Sequence, residues 1–262
     1  MRKKLLAVVS AAVVCIALAV SSALPTKPNA ATLINPFLFA EKDPNFSYVV
    51  SLPHMDGTDA STTFSDAFRT WTAQGNAQID TAQSKFGGAS GLFDGNGDYI
   101  DTPSSANFDF GSGDFTIQCW WRSAATISAG QYQFIMGAKS SASIYFGVRE
   151  STGYKLVIND TTGSLEAISS AFTFAINTWY HLETGRVGDN MYQFVDGVLL
   201  GTTAVTGLSY NFNSGSGGTT LGARTTAASE PVNGWLDDCV IHKGVGLHTS
   251  GFTPRTSAWP DS

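Results

Sequence analysis

Charge is scarce in this sequence, and positive charge most of all. Lys and Arg number 15 against 21 Asp and Glu, charged residues make up 14% of the chain, and the formal net charge is −6. No run of Lys or Arg occurs beyond the first four residues. A nucleic-acid partner would need a basic patch, so none is expected. Histidine is sparse as well, and His54, His181, His242 and His248 lack the spacing of zinc ligands. The Gly-x-Ser-x-Gly turn that presents a hydrolase serine is absent. The glutamates Glu41, Glu150, Glu166, Glu183 and Glu230 stand well apart, mostly beside turns. Retaining glycoside hydrolysis needs two carboxyl groups about 5 to 5.5 Å apart. These gaps remove the common routes to catalysis.

Glycine and aromatic residues are plentiful instead, with Gly 27 and 12% Phe, Trp and Tyr. From residue 48 onward, short β-prone segments recur about every ten residues between clusters of Gly, Asp, Asn and Ser, which is the rhythm of a β-sandwich or barrel. No long helical period interrupts it. A chain of 262 residues is an ordinary length for one all-β domain. The beginning differs. Arg2, Lys3 and Lys4 precede an apolar stretch from Leu5 to Val20, and Ser21, Ser22 and Ala23 follow. A run shorter than the roughly 20 residues of a membrane-spanning helix, flanked in this way, predicts a cleaved export signal over 1–23. Cys15 lies inside that run behind Val14 and is not read as a lipoprotein cysteine. Residues 24–46 carry Pro25, Pro28, Pro36 and Pro44, which forbid helix and favour extended chain. They are expected to form an irregular leader to a domain over 47–262.

Alternation assigns the faces. In FTIQCWWR, Phe115, Ile117, Cys119 and Trp121 point one way, and Thr116, Gln118, Trp120 and Arg122 the other; the first set is the expected core face. Asp196-Gly197 between two apolar runs predicts a tight hairpin. In NGWLDDCVIHKG the same period puts Trp235, Asp237, Cys239 and Ile241 on one face. Asp237 is thus expected among apolar neighbours, where a carboxylate needs hydrogen bonds or a cation. Residues 83–103, QSKFGGASGLFDGNGDYIDTP, predict a strand over 89–94, a reversal at Gly95-Asn96-Gly97 and a partner strand over 98–102.

The stretches AQSKFGGASGLFDGNGDYI, SGDFTIQCWWR, NTWYHLETGR followed by VDGVLLGT, and NGWLDDCVIHKGVGLHTSGFTP resemble, in order, the blocks of laminin-G-like, concanavalin A-like jelly-roll domains of bacterial surface proteins and phage structural proteins. The resemblance spans most of the chain after the leader. INPFLFA, inside the leader, resembles the short segment that precedes this domain in phage proteins. The implied fold is all-β, an antiparallel two-sheet jelly-roll sandwich with its first and last strands in one sheet. The Glu-x-Asp-x-x-Glu strand of related glucanases is absent, so an enzyme is not expected. Related jelly rolls often hold a structural Ca²⁺ where loops near the first and last strands converge. That implies Asp56 and Asp237 as ligands, against the plainer reading that Asp56 opens a turn and Asp237 accepts from backbone amides.

A sugar ring can stack on an exposed aromatic while amides and carboxylates take its hydroxyls. The candidate ligand residues are Trp120 with Gln118 and Arg122 on its face, joined by Tyr132 and Gln133 from the next segment. The alternative is a Trp120 covered by a loop or a neighbouring subunit. Trp71 and Trp259 are expected to anchor loops, and His181 to be structural. Cys119 and Cys239 lie on core faces of strands that this fold brings close, as a disulfide or as two buried thiols. The expected function is a non-catalytic extracellular or cell-surface binding or adhesion module that recognises a glycan or cell-surface polysaccharide. The alternative is a structural or decoration subunit of a phage virion or surface filament, assembled with copies of itself or other such proteins through residues 24–46.

Overall fold

The computed structural model describes residues 42–139, 144–159, 164–213, 218–224 and 230–262; the signal-like segment and most of the leader, over 1–41, lie outside them. Two large antiparallel sheets make up the domain. The first contains β1 (Val49–Ser51), β4 (Gln78–Asp80), β5 (Ser90–Asp94), β8 (Phe115–Ser123), β13 (Trp179–Val187), β14 (Asn190–Val195), β15 (Val198–Ala204) and β18 (Asn233–Lys243). Its order is β15-β14-β13-β8-β18-β5-β4, with β1 paired to β18. The second contains β2 (Thr63–Phe64), β3 (Trp71–Gln74), β6 (Tyr99–Thr102), β9 (Tyr132–Ala138), β10 (Tyr145–Glu150), β11 (Tyr154–Asn159), β12 (Ala167–Ile168) and β17 (Thr219–Leu221). Its order is β12-β11-β10-β9-β17-β6-β3-β2. A small ribbon pairs β7 (Asp109–Gly111) with β16 (Tyr210–Asn211). The first and last strands meet in one sheet, as a jelly roll requires.

The inner faces of the two sheets close on one apolar core. Phe115, Ile117, Cys119 and Trp121 of β8 meet Ile135 of β9, Phe146 and Val148 of β10 and Leu156 and Ile158 of β11. Trp71, expected as a loop anchor, is instead a core residue of β3, 3% exposed, with its indole N–H donating to Asp66. Cys119 and Cys239 lie on neighbouring strands with Cα atoms 4.1 Å apart and are joined as a disulfide. The Asp196-Gly197 turn connects β14 to β15 with both residues at positive φ, 49° and 73°, the backbone of a two-residue hairpin turn.

Two expectations from the alternation are corrected. The glycine-rich stretch 89–102 is not a hairpin, because β5 pairs with β4 and β18 in the first sheet while β6 pairs with β3 and β17 in the second. The turn crosses the sandwich. Carboxylates hold it: buried Asp98 accepts from the N–H of Asp94 in this turn and of Asn76 in the turn between β3 and β4, and Asp94 accepts from Asn96 N–H. The second correction concerns β18. Register shifts between Asp237 and Val240, and Asp238 there takes φ +45°. This bulge inserts a residue and reverses the side-chain phase. Leu236, Cys239 and Ile241 therefore face the core, while Asp237 lies on the outer face of the sheet.

That outer face is not left to solvent. After β18 the chain turns back, and residues 244–262 lie across it without forming a strand. Thr116 bonds Val245 and Leu247, Phe252 packs on His181 and Phe194, and Trp259 packs on His242. Together with Lys85 and Phe86, which cover Trp120, this segment leaves β8 buried on both faces, Gln118 being 3% exposed and Trp120 7%.

Candidate functional site

The chain separates the residues that alternation nominates for a ligand. Trp120, Gln118 and Arg122 share the outer face of the first sheet, whereas Tyr132 and Gln133 belong to β9 of the second, because the connection between β8 and β9 crosses the sandwich. Trp120 is not available for stacking. Phe86 and His181 meet it edge-on at 5.8 and 5.2 Å, and the Lys85 ammonium sits 3.7 Å above its ring. Gln118 accepts from His181 Nε2 at 3.0 Å. Arg122 covers Trp235 and donates to Asn177. Gln133 is buried, and its amide ties the sheets together by accepting from Trp121 Nε1 and donating to Ser123 Oγ, each at 2.9 Å. His181 is held neutral by burial, its pKa lowered to about 3.

Tyr132 does line an open site. Three connections cross between the sheets at one end of the sandwich: the turn after β5, the β8–β9 loop and the chain leading into β18. They wall a cleft of about 240 Å³ bordered by Ser128, Gln131, Tyr132, Gln133, Glu230 and Asn233. The Tyr132 ring is fixed, stacked on Phe134 at 4.9 Å and 22°, with the Arg149 guanidinium 5.3 Å away. The same cleft is lined by Gln131, Asn233, Ser128 and Glu230, whose side chains offer both donors and acceptors. Burial raises the pKa of Glu230 against the pull of Arg224 and Arg149, and its backbone carbonyl accepts from Phe134 N–H. Gly95 belongs to the wall by necessity, since a Cβ there would come within 2.8 Å of the Asn233 side chain. Glu230 and Asn233 carry no motif; EPVNGW reads as turn chemistry, and only the crossing of three loops makes it a site.

A larger groove of about 530 Å³ runs past His54, Asp66, Arg69 and Asp261. Its central carboxylate is already engaged, because Asp66 accepts from Ser51 Oγ, the N–H groups of Leu52 and Phe68, and Trp71 Nε1.

Asp56, in the chain after β1, and Asp237 of β18 approach one another around the loop 83–89. Asp237 accepts from the N–H groups of Lys85 and Phe86 at 2.6 and 3.1 Å, and Asp56 accepts from Ala89. The loop must pass close, since a Cβ on Gly87, where φ is +61°, would collide with the Asp56 carboxylate. Each aspartate keeps one buried oxygen, Oδ1, without a partner. Burial, with Asp238 and Asp56 nearby, pushes Asp237 up to about 8, and burial also raises Asp56. Two orphaned carboxylate oxygens, on aspartates whose pKa burial raises and of which Asp56 pushes Asp237 further up, form a donor pair suited to a hard cation. Among the described residues there is no cluster of three or more His, Cys, Asp or Glu able to hold a metal, so backbone oxygens and water would have to complete such a shell. Asp238 is committed elsewhere. It bonds His54 Nδ1 at 2.6 Å and Trp259 N–H at 2.9 Å, and His54 Nε2 reaches Asp261 at 3.0 Å. The pairing with Asp238 raises His54 to about 9.

A family model described as the concanavalin A-like lectin/glucanases superfamily, of laminin-G type, matches residues 94–246. The chain belongs to this superfamily. No curated protein sequence matches it. Among solved structures, domain 4 of the extracellular arabinanase AbnA from Geobacillus stearothermophilus, in complex with arabinotriose, aligns with a TM-score of 0.58 at 13% identity, over 76% of this chain and 94% of that one. The binding domain of Paraclostridial Mosquitocidal Protein 1 gives 0.56 at 15% identity, over 78% and 50%. A Trypanosoma rangeli sialidase gives 0.54 at 13% identity, over 77% and 31%. At such identities the likeness is one of fold. The region matched by the superfamily contains Ser128 to Asn233 of the loop cleft and Asp237, while Asp56 and residues 247–262 of the covering segment lie outside it.

Proposed function

We propose that this chain is a non-catalytic carbohydrate-binding module that works outside the cell after export, and that the cleft between the three crossing loops is its glycan site. The observation that carries the reading is that the half-exposed Tyr132, held by stacking on Phe134, lines the same cleft as Ser128, Gln131, Glu230 and Asn233. A fixed aromatic face with convergent polar groups is what a sugar needs for stacking and hydrogen bonding at little ordering cost. Membership of a lectin and glucanase superfamily agrees with it, and so does a structural neighbour crystallised with an arabinose trisaccharide. Ca²⁺, held by Asp56 and Asp237, would act at a distance from the glycan by fixing the loop 83–89 to the last strand.

The test is a glycan array followed by calorimetry on the hit. Tyr132→Ala should weaken binding at least about tenfold, or 1.4 kcal/mol, with the melting temperature little changed. Undiminished binding by that variant would remove the cleft as the site.

A further inference from the structure

The C-terminal segment does not lie flush on the first sheet. Between Phe252 and Trp259 it leaves a slot of about 200 Å³, separate from the loop cleft, with Gln118 in its lining. The Gln118 side chain is almost fully buried, its Oε1 accepts from His181 Nε2, and its Nε2 has no partner. Turning the amide over exchanges donor for acceptor and leaves one orphan either way. On one side His248 stacks face to face on Phe252 at 3.6 Å and 6°, held there by Nδ1 donating to the buried Glu183 carboxylate at 3.0 Å. On the other side stands Trp259, with the Arg255 guanidinium 5.0 Å from its ring. Asp43, 4% exposed, also lines the slot.

We propose that this slot is a second binding site, for a single neutral hydroxyl-bearing ring: a monosaccharide or a cyclic polyol of that size. A hydroxyl both donates and accepts, so it satisfies the Gln118 amide in either orientation. The charges lining the slot, Asp43 and Arg255, are of opposite sign, and Glu183 is paired with His248, so no net field selects an ion. Aromatic walls suit the apolar face of a sugar ring. The volume lies below that of pockets for larger organic ligands, which limits the occupant to one ring.

The inference does not rest on the loop cleft, and its test separates the two. Saturation-transfer NMR on the full chain would use arabinose, galactose, glucose, N-acetylglucosamine and inositol as probes, with wild type, Tyr132→Ala, Gln118→Leu and Thr253→Phe. Thr253 is exposed and lines the slot, so Thr253→Phe fills it from outside and carries the test even if Gln118→Leu fails to fold. The expected result is transfer to at least one probe that survives Tyr132→Ala and weakens at least about tenfold in Thr253→Phe. Absence of transfer in Tyr132→Ala, or undiminished transfer in Thr253→Phe, would overturn the slot and leave it filled by water.

Discussion

Asp237 and Asp238 are adjacent in sequence and have opposite fates. Asp237 accepts from backbone amides and retains one orphaned oxygen, while Asp238, turned by positive φ, clamps His54 and Trp259. The sequence Asp-Asp states only that two carboxylates are present; the backbone conformation at the second assigns their roles. Gln133 teaches the same lesson from the other side. Nominated for a ligand because it follows Tyr132, it is a buried bridge between Trp121 and Ser123. Gln133→Leu leaves the indole N–H without an acceptor, and a buried unpaired donor costs about 1–3 kcal/mol. Urea unfolding should show a loss in that range, with glycan affinity changing far less than in Tyr132→Ala.

At the scale of elements, the pair β8–β18 decides most. The bulge at Asp238 and the disulfide Cys119–Cys239 sit at the same place on these two strands, so the covalent link fixes the register across the phase change. The two cysteines are 120 residues apart, and closing a loop of that length should stabilise the fold by about 3–5 kcal/mol. Cys119→Ser with Cys239→Ser should lower the denaturation free energy by about that amount; a loss near zero would mean that register is held by the strands alone. The hairpin β14–β15 was legible because two residues define its turn. The passage from β5 to β6 was not, because Asp-Gly-Asn-Gly-Asp serves a hairpin and a sheet crossing equally well. What separates them is the partner strands, which lie up to about 140 residues away in β18.

At the scale of the molecule, buried ionisable groups set a pH profile. Asp237 has a folded pKa of about 8 against an ordinary 3.8, so the folded chain keeps a proton that the unfolded chain releases. Its contribution declines as pH rises from about 4 to about 8, by up to about 1.4 kcal/mol per pH unit. His54, raised to about 9, contributes fully below its unfolded value of 6.5 and loses that contribution as pH rises through 9. His181, lowered to about 3, acts in the opposite sense, its contribution falling as pH drops below 6.5. In EDTA, stability should therefore peak on the acid side of neutrality and fall toward pH 9. Asp237→Asn should flatten the decline between pH 4 and 8. Adding Ca²⁺ at pH 8 should raise the melting temperature of wild type and leave Asp237→Asn unmoved. Calorimetric scans across pH, with and without Ca²⁺, measure all of these, and a wild-type curve rising from pH 5 to 8 in EDTA would contradict the assignment.

By itself the sequence determined the strands, the inward face of β8, the tight turn at Asp196-Gly197 and the superfamily to which these belong, because alternation and turn chemistry act over a few neighbouring residues. Only the tertiary structure decided which sheet each strand joins, where β18 changes phase, that Lys85 and Phe86 of the loop 83–89 cover Trp120, and that Tyr132, Glu230 and Asn233 line one cleft. Those outcomes depend on pairing and covering between segments far apart in the chain, and no local period encodes them.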